Sequence, residues 1–422
     1  LAQHLDWTNF EPHWQRHFSD ASGPKAASAR MAAGLLLLKH MEDLSDEGLM
    51  LAWVCNPYYQ YFCGETHFQH QTPINPITLG RWRKQLGEEG LEYLYTTVLD
   101  SALKMGALKT ESLAHVCVDS TVMEKHIAYP TDSNLLLKVL QKMINLMHNN
   151  ELNIRQTYAR EAPRLAQKIG RYAHARQFRR MRHALKKLST RVGRIMRELQ
   201  RQLSKLEGLP LIEAKRLLEQ ARQLRLQAKD PKTKNKLYAL HEPEVDCISK
   251  GKAHKRYEFG TKVGIVCTQE NGFVLGMRSY PGNPYDGHTL DDMLQQAETI
   301  IGVEIKDAVV DLGYRGKHQT QARIIHRGRK LSRREKQRLR RRSMLEAMIG
   351  HMKNDGMLSR CHLKGTAGDA IHALLCGLGH NMRLLVNFIR ESASAGFILR
   401  YMAWHKWLKQ VILPQNEPYQ AV

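Results

Sequence analysis

The period of the apolar positions changes along the chain. Between residues 31 and 55 they fall in compact blocks, 31–40 and then Leu49, Leu51 and Trp53 behind a Ser45/Glu47 start, as in short helices. The aromatic residues Tyr58, Tyr59, Tyr61, Phe62 and Phe68 follow and read as core. After Pro73-Ile74-Asn75-Pro76 a further helix runs from Thr78 through Trp82 and Leu86. It carries Arg81, Arg83 and Lys84, and short helices with tight turns are compatible with a helix-turn-helix DNA reader. At 115–121 the period drops to two, which predicts a buried strand. Cys117, Asp119 and Thr121 then share one face, and Val116 and Val118 the other. Residues 133–228 return to helical spacing. Leu185, Leu188, Val192, Ile195, Leu199, Leu203 and Leu206 form a seam, Gly208 and Pro210 interrupt it, and 211–226 supplies a return helix. Strands resume at 257–268 and 273–280, joined as a hairpin around Glu270-Asn271-Gly272. A helix at 290–301, a strand at 307–311, a helix at 341–353 and apolar helices at 369–378 and 381–388 complete the pattern. This order predicts a mixed α/β sheet interrupted after its first strand.

Composition sharpens that outline. A chain of 422 residues exceeds one ordinary core, and it opens at Leu1 without Met, so a few residues are expected ahead of it. There is no apolar run of about 18 residues, which predicts no membrane span. Seven scattered cysteines without C-x-x-C spacing read as reduced thiols of a cytoplasmic protein, with no disulfide framework and no zinc motif. The 64 Lys and Arg outnumber the 41 Asp and Glu, giving a net charge of +23. Residues 151–240 hold 24 basic and 7 acidic side chains, a net of +17; residues 327–342 hold 10 and 1, a net of +9. The remainder is therefore at −3, a near-neutral body with two basic inserts. A charge run is ordinarily a solvated helix face. Here acidic partners are scarce and Arg predominates, so the partner implied is a polyanion, most simply nucleic acid.

Asp119 and Asp311 each lie at the C-terminal end of an apolar strand as read from the pattern. One such Asp is more often a structural hydrogen-bond acceptor; two in a basic protein favour a divalent-metal site. Glu346 is the third acid. On a helix, Arg342, Glu346 and Lys353 fall on one face. A surface Glu paired with the Arg four residues earlier is the ordinary alternative.

These residues resemble a known family, the bacterial insertion-sequence DDE transposases of the IS-five-like group. The likeness is carried by Val118-Asp119-Ser120-Thr121, Tyr129-Pro130-Thr131-Asp132, Gly282-Asn283-Pro284 with Asp286-Gly287-His288-Thr289-Leu290, and Val310-Asp311-Leu312-Gly313-Tyr314-Arg315-Gly316. It continues in Glu346 followed by Gly350-His351-Met352-Lys353, and 34 residues separate Asp311 from Glu346. Leu339 stands where the family's C-terminal signature has Tyr. The resemblance covers almost the whole chain. It implies an RNase H-like mixed sheet flanked by helices, interrupted by a basic helical hairpin insert, with a helical N-terminal domain. The implied divisions are a DNA-binding and dimerisation domain at 1–105, catalytic segments at 106–132 and 241–400 around the insert at 133–240, and a tail at 401–422. Asp119, Asp311 and Glu346, on the first strand, the fourth strand and a following helix, would hold two Mg2+ or Mn2+ ions. The implied reaction cuts DNA at the element's terminal inverted repeats and joins those ends to target DNA. A homodimer on double-stranded DNA and no membrane partner are expected. Arg342, Lys353, Arg315, Arg179, Arg180 and Arg81 are the expected DNA contacts. His351 reads as a packing residue; His288 is either a helix cap or a neighbour of the metals.

Overall fold

The computed structural model describes residues 1–17, 28–249, 255–316, 318–327 and 330–412, with side chains described through residue 394. Residues 328–329 of the second basic run and 413–422 of the expected tail lie outside the described residues.

Helices α1 (Trp7–His17), α2 (Ala29–Met41), α3 (Asp46–Cys55), α4 (Pro57–Phe62), α5 (Pro76–Lys104) and the short α6 (Thr110–Leu113) open the chain. The starts of α2 to α5 follow from local chemistry. Ser28, Ser45, Asn56 and Asn75 each accept a backbone N–H of the first turn, and Pro57 and Pro76 occupy positions where no donor is needed. Gly87, at φ 59 and ψ −159, kinks α5. The aromatic cluster divides: Phe62 is buried, whereas Tyr58 is 82% exposed. Arg83, on the expected DNA-reading helix, is buried and forks onto Asp46 of α3. That side chain serves packing; Arg81 alone of the pair faces solvent.

Strand β1 (His115–Lys125) is four residues longer than its apolar pattern, because both neighbours continue to pair with it past Thr121. Asp119 therefore stands within the strand and not at its end. Next come α7 (Asp132–Asn149), α8 (Glu161–His174), α9 (Phe178–Arg201) and α10 (Gly208–Lys229). The predicted seam residues belong to α9 and the turn after it. The insert is four helices with a core of its own, since α7 and α8 add Leu136, Val139, Met143, Met147 and Ile169 to that seam. Gln227 of α10 bridges Asp132 and the Leu237 carbonyl, and Gln220 holds the Leu240 carbonyl, so the insert closes at its base.

The chain then supplies β2 (Asp246–Ile248), β3 (Glu258–Thr268), β4 (Val274–Tyr280), α11 (Asp286–Ile301), β5 (Asp307–Val309), β6 (Arg323–Ile325), α12 (Arg333–Asp355), β7 (Arg360–Cys361) and α13 (Gly365–Ile412). The β3–β4 hairpin turns at Gly272 (φ +68), as its sequence predicts. Strand order is β4-β3-β1-β5-β6, with β3 antiparallel to β1 and β5 parallel to it. The short β2 makes Asp311 follow the fifth strand of the chain. On the edge of β1 away from β3, β5 pairs only with His115 to Cys117 and β7 only with Glu124 and Lys125. No described strand covers 118–123 on that edge.

Helix α12 begins inside the basic run, on a capping box formed by Ser332 and Glu335. Residues 333–342 of the basic run and Glu346 are thus parts of one helix. A single helix α13 replaces the two expected ones. Gly377 and Gly379, where the two expected helices would meet, are sites of close approach to Tyr95 on α5 and to the His40 carbonyl on α2. One apolar cluster consequently runs from the first helices through the sheet to α13.

A Cβ added at Gly379 would lie 2.4 Å from the His40 carbonyl oxygen. Gly379→Ala is expected to cost about 1–3 kcal/mol by overpacking. The check is urea unfolding followed by circular dichroism: the midpoint falls while the slope is unchanged.

Candidate active site

The gap in the β1 ladder is where the expected acids meet. Asp119 projects from β1 inside the gap. Its Oδ1 accepts the Ser120 backbone N–H at 2.7 Å, which leaves Oδ2 turned outward. Asp311, two residues past β5, repeats the arrangement: Oδ1 accepts the Gly313 N–H at 2.7 Å and caps a single helical turn, Leu312–Tyr314. Gly313 is required by closeness, since a Cβ there would sit 2.9 Å from Asp311 Oδ1 and 3.3 Å from Asp286 Oδ2.

Helix α12 crosses the gap and aims Arg342 into it. Its Nη2 lies 3.0 Å from Asp119 Oδ2 and 3.8 Å from Asp311 Oδ2, and Nη1 lies 3.8 Å from Glu346 Oε1. One guanidinium therefore reaches all three acids. The carboxylates are spread around it: among the described residues, these three do not lie within 4.8 Å of one another. Glu346, on the rim, keeps 66% of its side chain exposed. Burial pushes the Asp119 carboxyl above the usual range, and the Arg342 charge opposes that rise. Arg342 Nε is buried without a hydrogen-bond partner.

The same helix is fixed at both ends of the gap. One turn before Arg342, Arg338 bonds to the buried Asp307 of β5, which also receives His115 and Gln269. At the other end, Lys353 Nζ donates to the Val122 carbonyl at 2.8 Å, occupying the unpaired edge. Leu339, where the family signature has Tyr, is half-buried against the apolar core.

A fourth carboxylate stands beside the first three. Asp286, at the start of α11, accepts Ser120 Oγ and Lys262 Nζ, each at 3.0 Å. Sequence reasoning quoted its motif without giving it a role; the signal was an acid opening a helix three residues after Asn283. Burial raises the Tyr314 hydroxyl well above its ordinary range, with Asp286 and Asp119 adding to the rise. His288 packs edge-on to Tyr285 in the first turn of α11. His351 is 75% exposed, 3.3 Å from Asp355.

The remaining expected contacts lie elsewhere. Arg315 is exposed, directly after the turn capped by Asp311. Arg179 and Arg180 are exposed at the start of α9, and Arg81 is exposed on α5.

The donor set suits a hard divalent cation. Two aspartates each spend one oxygen on their own backbone and present the other to a shared centre, where a positive group already sits. Such a centre can neutralise charge on phosphate oxygens.

The family described as Transposase domain (DUF772) matches residues 1–85, and the Transposase DDE domain matches residues 230–382. Asp311 and Glu346 fall inside the second match; Asp119 reaches it through the β1–β3 and β1–β5 pairings. "Uncharacterized protein ORF8 in nfe locus" from Rhizobium meliloti is 44% identical over 178 residues, which is 42% of this chain and 86% of the relative. No solved structure matches. No described helix is long and apolar enough to cross a membrane. An N-terminal transposase domain, followed by a DDE domain over the sheet that carries the acids, settles the family: the chain belongs to the insertion-sequence DDE transposases, metal-dependent enzymes that cut DNA and transfer its strands.

Proposed function

We propose that Asp119, Asp311 and Glu346 hold two Mg2+ or Mn2+ ions and that this site cuts at terminal inverted repeats and joins the freed end to target DNA. The observation that carries the reading is the matched pair of aspartates. Each has one oxygen pinned by the backbone and the other directed at a centre that Arg342 fills. Bound there, the ions supply an activated water or 3′-hydroxyl and stabilise the leaving oxygen.

The chain's own residues do the rest. Asp119 and Asp311 offer preset ligand oxygens, and Glu346 closes onto the centre from an exposed position on α12. Arg342 must leave the carboxylates as they take up metal. Its guanidinium then serves the scissile phosphate, a group its planar fork fits. Asp286, accepting from both Lys262 and Ser120, keeps β1, β3 and the start of α11 in register around Asp119. Lys353 supports the floor of the cleft through Val122. The strand order β4-β3-β1-β5-β6, with three antiparallel strands beside two parallel ones, supports the RNase H-like assignment, and the sequence motifs around the acids support membership of the IS-five-like group. Arg179, Arg180 and the other exposed cations of the four-helix insert would grip double-stranded DNA, with Arg315 beside the cut and Arg81 on the N-terminal helices. Two subunits would hold the two ends.

Replacing the acids tests the chemistry. Asp119→Asn, Asp311→Asn and Glu346→Gln are each expected to lower end cleavage and strand transfer about a thousandfold, the worth of several kcal/mol. Retarded migration of inverted-repeat DNA should be unchanged. Cleavage that persists in Asp119→Asn with Mg2+ would refute the site. Arg342→Ala separates the two roles of the arginine: Mn2+ binding to the DNA-free protein should tighten in calorimetry, while cleavage falls. Unchanged Mn2+ affinity would sink the displacement step. For the insert, Arg179→Ala with Arg180→Ala should weaken DNA binding. The slope of log affinity against log salt should become shallower by about one to two units.

A further inference from the structure

Away from the carboxylates, three soft or nitrogenous ligands converge in the core. His40 ends α2, while His372 and Cys376 lie one turn apart on one face of α13. Their ligand atoms all lie within 4.8 Å of one another, and all three residues are buried. We propose that His40, His372 and Cys376 bind a Zn2+ ion that clasps the N-terminal helices to the C-terminal helix.

The geometry is close to what zinc needs. Bond lengths of about 2.0–2.3 Å place tetrahedral ligands about 3.5 Å apart. Cys376 Sγ and His40 Nδ1 are 3.9 Å apart, so the set must contract by about 1 Å at its widest. The second shell fits as well. His372 Nε2 bonds to the Met357 carbonyl at 3.0 Å, which places the ring proton there and leaves Nδ1 as a free lone pair. Zinc-bound histidines are ordinarily oriented in this way. On binding, Cys376 gives up its proton: the S–H bond breaks, the S–Zn bond forms and the proton leaves to solvent.

The fourth position is available. A cavity of about 290 Å3 borders His40 and His372 and is also lined by Ser45, Asp46, Glu47 and His362, room for a water ligand. Lys39 and Arg83 face the same cavity and share the one carboxylate of Asp46, at 2.9 and 2.5 Å, so the cavity keeps one uncompensated positive charge from this trio. The close approach at Gly379, where α13 meets the His40 carbonyl, is what brings α2 within reach of Cys376. Neither histidine nor the cysteine belongs to a zinc spacing in the sequence, because the ligands come from helices more than 300 residues apart.

Cobalt reports on the site directly. Metal-free full-length protein titrated with Co2+ should develop a thiolate-to-cobalt charge-transfer band with intense tetrahedral absorption. The signal should saturate at one equivalent and disappear on adding Zn2+. The all-oxygen carboxylate site cannot give a thiolate band, so Asp119→Asn should retain it. Cys376→Ala should abolish it and should also remove the rise in melting temperature that Zn2+ gives the unsubstituted protein. Absence of the band in the unsubstituted protein overturns the proposal, as does its persistence in Cys376→Ala. The titration of the unsubstituted chain decides the matter even where the variant fails to fold.

Discussion

Three carboxylates around one guanidinium set the arrangement of the catalytic half. Acids brought together on a strand, a loop and a helix repel, and burial of Asp119 adds to the cost. Arg342 offsets both, touching each acid from a single side chain. The arginine thereby keeps the site assembled before metal arrives. Removing it would leave like charges facing one another across a partly buried cleft. On the proposed reading the same contact would set an order of events, with the guanidinium giving way as the carboxylates take up metal.

The opening in the β1 edge is what makes such a site accessible. Had β5 and β7 met along β1, a continuous ladder would have sealed the strand at Asp119. Instead β5 leaves after Val309 and β7 arrives only at Glu124, and a helix spans the interval. Backbone groups exposed by the gap need partners, and the Lys353 ammonium supplies one at Val122. Arg338 on Asp307 and Lys353 on Val122 hold the two ends of the span. The position of Glu346 thus depends on two cations that flank it on the same helix.

Local chemistry was legible in the sequence; distant pairing was not. The β3–β4 hairpin follows from Asn271-Gly272, whose turn geometry depends on neighbours alone. Asp119 and Asp311 stood out because carboxylates in apolar strands need a reason, and Glu346 because it shares a helix face with Arg342 and Lys353. The end of β1 was misplaced since Ser120 and Thr121 look like a strand terminus. Lys125, charged and 1% exposed, is tolerated only because Glu242 and Asp369 come to it from residues over 100 positions away. The sequence divides the last helix at 379–380, and only the packing of α2 and α5 shows that Gly377 and Gly379 there mark contact. Arg83 looked like a DNA ligand until Asp46 was seen to hold it. Residue type announced the chemistry in each case, and the partner lay beyond the reach of spacing.

The continuous core has a bearing on how the protein is made. Helices α2 and α5, among the first synthesised, bury their apolar faces against α13, among the last. Until the ribosome has passed that helix, those faces lack their partner, whereas the four-helix insert can fold as soon as it emerges. A shortened translation product would therefore carry a finished, strongly basic module attached to an unfinished catalytic body.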